Sequence, residues 1–195
     1  MKLTFNSPVV LIFSFVCGIV YLFTSNGIGT DYFILDPVWN FSSPSWYFKM
    51  FSHTIGHASI EHFMGNMAFF LLLGPIVEEK YGSKNLVIMF LTTAVVTGLI
   101  QIMFFDTRLL GASGIVFMLI LLVSLVNFKN KEIPLTFVLI VIIYIGGEIW
   151  GTFDGREDGI SHSTHIIGGI VGAVFGFALA GKKIRDTPKS TEILG

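Results

Sequence analysis

The sequence contains few charged residues and only one cysteine. Asp, Glu, Lys and Arg make up 13% of the 195 residues, about half the share in an ordinary soluble domain, and 53% of the residues are hydrophobic. Cys17 stands alone, so an intrachain disulfide and a zinc site built from several cysteines are both excluded. The net charge is −1, and there is no basic patch beyond the unequal distribution of Lys and Arg described below, which argues against nucleic-acid binding. The composition therefore indicates a membrane protein.

Long stretches without charge alternate with short charged segments along the chain. A soluble domain of this length would instead interleave charges at helical or strand period. The pattern predicts an all-α membrane protein in which six transmembrane helices form one domain, since no Pro/Ser-rich or low-complexity linker separates any two of them. The helices are predicted at about residues 8–25, 60–78, 85–105, 109–128, 133–150 and 160–181, and residues 182–195 form a polar cytoplasmic tail.

The first predicted helix has an alternative interpretation as a cleaved signal peptide. Lys2 would then be the basic start of this peptide, and residues 9–23 would be its apolar run. No cleavage site of the A-x-A type follows the apolar run, so a transmembrane helix is the preferred interpretation.

Lys and Arg are distributed unequally between the two sides of the predicted bundle. Because basic residues resist translocation, the side with more of them is expected to face the cytoplasm. With the N-terminus inside, the cytoplasmic side holds nine: Lys2, Lys80, Lys84, Lys129, Lys131, Lys182, Lys183, Arg185 and Lys189. The outer side then holds three, which are Lys49, Arg108 and Arg156. Both termini are therefore expected in the cytoplasm.

The first outer loop, residues 25–60, is too long for a plain turn. It contains several aromatic residues, among them Trp39, Trp46, Tyr47 and Phe51. Trp and Tyr rings favour the boundary between lipid and water. We therefore expect this loop to lie partly in the membrane interface.

Three polar residues are predicted to lie at the same depth in the membrane. The second, fourth and sixth predicted helices all run from outside to inside, and Asn66, Ser113 and His165 each occur early in one of them. Polar side chains inside a membrane are costly and usually serve a function. Their common level slightly below the outer surface predicts an active site.

The sixth predicted helix carries a stripe of small residues beneath its histidine. His165, Gly168, Gly172 and Gly176 follow each other at spacings of three, four and four, which places them on one face. Small residues at this spacing let two membrane helices approach closely, so this face is predicted to meet protein and not lipid. The alternative is a packing motif with an incidental histidine.

Ser113 lies in the segment Gly111-Ala112-Ser113-Gly114. Its small neighbours leave room beside the hydroxyl for a substrate backbone. Alone, the motif is weak, because a serine in a membrane helix usually bonds to a carbonyl one turn earlier. The motif gains meaning only in combination with the other polar residues.

The second predicted helix carries polar groups at both ends. His62 and Asn66 share a face at four-residue spacing and could donate hydrogen bonds to a developing oxyanion, or they could equally make interhelical hydrogen bonds. Glu78, Glu79 and Lys80 at the inner end are expected to form a solvated interfacial cluster and not a catalytic pair.

Four motifs together resemble the rhomboid family, from about residue 46 to residue 180. They are H-x4-H-x3-N at His57, His62 and Asn66; G-x3-E-x3-G-S at Gly74, Glu78, Gly82 and Ser83; G-x-S-G at 111–114; and H-x2-G-x3-G-x3-G at His165, Gly168, Gly172 and Gly176. The combination is far more specific than any one motif. The first outer loop lacks the clear Trp-Arg pair that is common in this family.

The resemblance implies a serine endopeptidase of the membrane with a six-helix rhomboid-like bundle. Ser113 would be the nucleophile and His165 the general base, while Asn66, His62 and the backbone N–H of Ser113 would form the oxyanion hole. The residues implied in supporting roles are His57, Gly111, Gly114, Phe117, Gly168, Gly172 and Gly176. Phe117 stands where family members often have a tyrosine, and its ring is expected to stack on the histidine. His57 is expected to tie the first outer loop to the second predicted helix.

The implied partners are substrate proteins with a transmembrane helix, together with membrane lipid. No cofactor and no metal are expected. The implied location is the bacterial inner membrane, with cleavage near its outer face. Asp154, Glu157 and Asp158 are expected in a solvated loop, so the dyad would work without a third acid.

Two rival functions remain at this stage. The first is a membrane zinc hydrolase whose ligands would come from His53, His57, His62, His162 and His165. The second is an inactive relative that only binds helices. A relative of that kind usually lacks its nucleophile or its base, and this sequence carries both.

Overall fold

The fold is built from helices. The computed structural model describes residues 5–125, 135–146 and 162–180. Its α-helices are α1 (Pro8–Thr24), α2 (Pro44–Ser52), α3 (Ile60–Tyr81), α4 (Ser83–Phe104), α5 (Ser113–Ser124), α6 (Leu135–Ile140) and α7 (His162–Ala180). A π-helical turn, Val141–Ile145, follows α6, and two short 3₁₀ helices, Thr30–Phe33 and His53–Ile55, flank α2. In the described ranges, extended pairing is limited to one antiparallel bridge between Leu35 and Leu109.

Among the residues that the structure describes, two helices are long and apolar enough to cross a membrane by length and composition. They are Ile60–Tyr81 and Ser83–Phe104. Shorter apolar helices are Pro8–Thr24, Ser113–Ser124 and Thr164–Gly176. Of the fifth predicted helix, residues 133–150, only 135–146 fall in the described ranges. The loop with Asp154, Glu157 and Asp158 and the predicted tail at 182–195 lie outside the described residues.

The start of α5 differs from the prediction. The fourth helix was expected from about residue 109, whereas α5 begins at Ser113. Leu109 instead exchanges two backbone hydrogen bonds with Leu35, at 2.9 and 3.0 Å. Gly111 has a φ of 120°, which ordinary side chains rarely adopt. These two constraints keep the chain out of a helix until Ser113, so Ser113 is the first helical residue.

The carboxylate of Glu78 joins the end of α3 to the start of α1. Its two oxygens accept the backbone N–H groups of Val9 and Val10, each at 3.1 Å, and Oε1 also accepts the Ser83 hydroxyl at 2.7 Å. Glu78 is buried, so its predicted place in a solvated cluster is wrong, although Glu79 is exposed. The unpaired N–H groups and positive dipole at a helix start attract a carboxylate, which explains the burial.

α7 packs against α5 along its glycine stripe. A Cβ atom on Gly168 would fall on the backbone of Gly114, and one on Gly172 would lie 2.5 Å from the Met118 carbonyl oxygen. A Cβ on Gly176 would lie 2.6 Å from a methyl group of Leu125. The contacts advance in the same direction along both helices, so α5 and α7 are parallel. The face predicted to meet another helix is the face that meets α5.

The first outer loop folds back onto the segment that precedes α5. Its Asp36 carboxylate binds Lys49 at 2.8 Å and Arg108 at 3.2 Å. The backbone carbonyl of His53 accepts the N–H of Gly111 at 2.8 Å, and the His53 ring lies buried with Nε2 3.2 Å from the Ala94 carbonyl. The loop thus contacts both α4 and the turn that leads into α5.

We expect Gly172→Leu to lower the stability of the folded protein. Its side chain would overlap the Met118 backbone and separate α7 from α5, and overpacking of a core typically costs about 1–3 kcal/mol. Val174→Leu is the matched control, because Val174 lies on the exposed side of α7. Thermal unfolding in detergent measures both. Equal unfolding temperatures for the two variants would contradict the close packing of α7 on α5.

We also expect acid to weaken the anchoring of the first outer loop. Burial lowers the pKa of His53 from 6.5 to about 4, although its bond to the Ala94 carbonyl partly offsets this effect. The unfolded state binds a proton more readily, so stability is full above about pH 6.5 and falls as the pH drops toward 4, by on the order of 1–3 kcal/mol. His53→Gln keeps a donor for Ala94 but does not titrate.

Thermal melts of both proteins at about pH 7.5 and about pH 5 test this expectation. The unmodified protein should lose more stability on acidification than His53→Gln. An equal loss in the two proteins would show that another group carries the pH dependence.

Candidate active site

Ser113 occupies the first position of α5. The residue is half-buried. The first N–H groups of a helix have no partner within the helix, and the helix dipole places positive charge at this end. The turn before it is held by the hydrogen bond from Gly111 to His53. Backbone N–H groups that point into such a position favour a developing negative charge.

His165 lies on α7 beside the same end of α5. Its ring stacks on Phe117, with the ring centroids 4.3 Å apart and the planes inclined by 8°. Phe117 is one turn after Ser113, so both point to the same side of α5. Thr164, the neighbour of His165, packs on Gly114, where an added Cβ would meet its methyl group at 3.0 Å. Ser113 and His165 therefore both lie in the contact region between α5 and α7.

His62 and Asn66 on α3 line the turn before Ser113. A Cβ on Gly111 would lie 2.6 Å from both Cε1 and Nε2 of His62 and 3.8 Å from Nδ2 of Asn66. Only glycine fits at this point, because of the positive φ and because of the His62 ring. The two side chains predicted to donate to an oxyanion are thus adjacent to the G-x-S-G segment.

The amide nitrogen of Asn66 is buried and has no hydrogen-bond partner in the described part of the chain. A buried amide donor without a partner costs about 1–3 kcal/mol. Such a cost is usually tolerated at functional sites, where a ligand or water supplies the missing acceptor. The unpaired donor of Asn66 fits an oxygen atom that arrives with a substrate.

His57 lies beside His62, at the end of the first outer loop. Its ring packs edge-on against His62, at 5.1 Å between centroids, and against Phe63 at 5.4 Å. Burial lowers the pKa of His57 from 6.5 to about 4, and the charge of His62 adds to this effect. The ring is therefore neutral at neutral pH. Its contacts join the end of the first outer loop to α3.

The histidines do not form a metal site within the described ranges. Three His, Cys, Asp or Glu side chains that could share a metal ion are not found there. The side chain of His162, one of the ligands in the zinc alternative, is outside the described side chains. The described geometry instead places a hydroxyl, an imidazole and amide donors around one turn, which suits nucleophilic attack on a carbonyl.

One supporting residue was missed from the sequence. His53 entered only as a possible zinc ligand, yet its backbone holds Gly111 and its ring bonds to α4. His53 precedes His57 by four residues, a spacing that would place both on one face of a helix. Both residues lie outside the predicted helices, so this spacing did not indicate a shared role. The contact partner, Ala94, is 41 residues away in sequence.

The comparisons with known proteins agree on one family. The model of the rhomboid domain matches residues 44–182. The rhomboid protease GlpG of Haemophilus influenzae is 26% identical over 177 residues, which cover 88% of this chain and 91% of that protein. The proteins of the same name from an Enterobacter species and from Salmonella choleraesuis are 26% and 27% identical, over 88% and 87% of this chain.

The matched relatives differ in length. The chain spans less than two thirds of the Enterobacter and Salmonella proteins, 63% and 62%, but nearly all of the Haemophilus one. The family match covers more than half of the chain and includes all four motifs. The chain therefore belongs to the rhomboid family of intramembrane serine proteases and is itself an integral membrane protein.

Proposed function

We propose that the chain is an endopeptidase that cleaves transmembrane-helix proteins near the outer membrane face, with Ser113 and His165 as its catalytic dyad. The main support is the arrangement at the start of α5. His165 stacks on Phe117 one turn below Ser113, and the unpaired donor of Asn66 faces the same turn. Six transmembrane helices would carry this site, with both termini in the cytoplasm.

In the first step, His165 takes the proton from the Ser113 hydroxyl as Oγ attacks the carbonyl carbon of the scissile bond. The tetrahedral intermediate collapses when His165 returns the proton to the leaving amine, which forms an acyl-enzyme. His165 then removes a proton from water as the water oxygen attacks the acyl carbon. The second tetrahedral intermediate collapses when His165 returns this proton to Ser113 Oγ, which releases the new carboxyl end and restores the free enzyme. The stack with Phe117 holds the imidazole plane in place during both transfers.

Three groups would stabilise the oxyanion. They are the side chains of Asn66 and His62 and the backbone N–H of Ser113. The backbone donor lies at the positive end of α5, and the other two lie against Gly111. Because they come from a helix start and from one face of α3, these donors need little rearrangement during the reaction.

The substrate would enter from the lipid and unwind locally at the cleavage point. A peptide bond in a helix hides its carbonyl carbon, so small or helix-breaking residues should be favoured near the cut. The distribution of Lys and Arg supports a site near the outer face, because Ser113 follows Arg108 closely, on the side with few basic residues.

We expect Ser113→Ala and His165→Ala each to abolish cleavage without unfolding the protein. The double variant should be no worse, because the two groups act as one unit and their losses do not add. Ser124→Ala is the matched control on α5, since its hydroxyl only bonds to the Ile120 carbonyl at 2.8 Å. A gel assay of the purified proteins with a helix-destabilised membrane substrate measures turnover.

Turnover by either purified dyad variant would exclude the dyad. A complete absence of turnover in the unmodified protein would support the inactive relative. Metal chelators test the zinc alternative in the same assay. If a chelator abolished activity and added zinc restored it, the nucleophile would be a metal-bound water and not the Ser113 hydroxyl.

We expect a graded effect on α3. Asn66→Ala should lower kcat by about tenfold to a thousandfold, as the loss of one preorganised oxyanion donor does in other enzymes. His62→Ala should have a similar or smaller effect. His57→Ala should lower the unfolding temperature more than kcat, because its ring packs on His62 and Phe63.

Single-turnover kinetics and thermal melts of the three variants separate these roles. A kcat loss in His57→Ala at unchanged stability, together with normal kcat in Asn66→Ala, would be incompatible with the oxyanion assignment.

A further inference from the structure

An apolar groove of about 440 Å³ runs between α1, α4 and the segment around α2. This volume falls in the range of small-molecule binding sites. Its floor is formed by Phe13 and Phe90, whose ring centroids are 5.3 Å apart and which both contact the buried Phe70. Exposed side chains form its walls and its outer end: Ile12, Val16, Val87, Leu91, Phe48 and Phe51.

The groove offers almost no polar partners to a ligand. Its two hydroxyl-bearing residues are already engaged, because Ser52 donates to the Tyr32 carbonyl and Thr54 to the Phe51 carbonyl. A peptide backbone that unwound here would leave its N–H and C=O groups unpaired, which is costly away from water. The groove therefore suits a hydrocarbon chain better than an extended peptide.

The length of the groove matches one leaflet of a membrane. Val87 and Ala94 line it seven residues apart on α4, a rise of about 10 Å. Lys84 lies one turn before Val87 and extends this distance to about 15 Å. Half of a hydrocarbon core of about 30 Å has the same thickness.

Lys84 supplies a charge at one end of the groove. It is exposed, and its spacing of three and seven residues to Val87 and Leu91 puts all three on one face of α4. The start of α1 lies at the same level as the start of α4, because Glu78 bonds to Val9, Val10 and Ser83. A phosphate near Lys84 would leave its attached chain pointing along the groove toward α2.

We propose that this groove binds one acyl chain of an anionic phospholipid, from the leaflet at which α1 and α4 begin, with the lipid phosphate on Lys84. The end of the chain lies against Phe48, Phe51 and Ile55. His53, between these residues, holds Gly111 through its backbone. The bound lipid thus supports the loop segment that positions the turn before Ser113.

A photoactivatable lipid tests the location. The full chain is reconstituted in phosphatidylcholine nanodiscs that contain a small fraction of phosphatidylglycerol. This phosphatidylglycerol carries a diazirine in the middle of one acyl chain. After irradiation, the labelled peptides are mapped by mass spectrometry. Labels should concentrate on the groove residues of α1, α2 and α4. Even labelling over all lipid-facing residues of α1 and α4 would overturn the proposal.

A pair of tryptophan variants on α4 provides the matched control. Leu91 and Ile88 are 48% and 45% exposed, but only Leu91 lines the groove. Leu91→Trp should reduce groove labelling at least fivefold, while Ile88→Trp should leave it unchanged. Val87→Trp fills the groove from another position if Leu91→Trp does not fold. Equal labelling in all folded variants would contradict the proposal. Displacement of the lipid label by a transmembrane substrate peptide would also contradict it, because the occupant of the groove would then be a substrate helix.

The phosphate contact is tested separately by native mass spectrometry. Lys84→Gln should reduce the phosphatidylglycerol retained through detergent purification about fivefold, as expected for one surface lysine. Lys80→Gln is the control, because Lys80 lies at the end of α3 with its ammonium over the Tyr81 ring. Equal retention in these two variants, or equal retention of phosphatidylcholine and phosphatidylglycerol by the unmodified protein, would overturn the proposal.

Discussion

The close approach of α7 to α5 is the constraint on which the site depends. Within lipid, helices gain little from hydrophobic burial, so their association relies on close packing and hydrogen bonds. Gly168 and Gly172 provide that packing, because neither position has room for a single added carbon atom. The same approach brings the His165 ring onto Phe117. A bulkier residue in the stripe would therefore separate the helices and the two aromatic rings together.

The turn before Ser113 is the second element that must be fixed. It is not helical, and irregular backbone inside a membrane protein is tolerated only where protein or a water-filled cavity surrounds it. Here the His53 carbonyl binds the N–H of Gly111 on one side, and the His62 ring packs against Gly111 on the other. The pairing of Leu35 with Leu109 and the ion pairs of Asp36 hold the chain just before it. The first outer loop is thus part of the support of the site.

Spacing within one helix could be interpreted from the sequence alone. The stripe below His165 and the pair of His62 and Asn66 follow from helical periodicity, and the structure has these residues on faces that meet α5 and the turn at Gly111. Contacts between distant segments could not be predicted in this way. Glu78 looked like a surface residue because its partner, Val9, is 69 positions away. The start of α5 at Ser113 was not predicted, because it depends on the pairing of Leu109 with Leu35, a residue of the first outer loop.

The burial of Glu78 has a consequence for the order in which the protein assembles. A ribosome makes α1 before Glu78 exists, so the N–H groups of Val9 and Val10 must first find other partners, such as water or lipid headgroups. Only when α3 has entered the membrane and brought its end to the same side can the carboxylate replace them. α1 can therefore make these two hydrogen bonds only after α3 has been synthesised and its end has reached the start of α1.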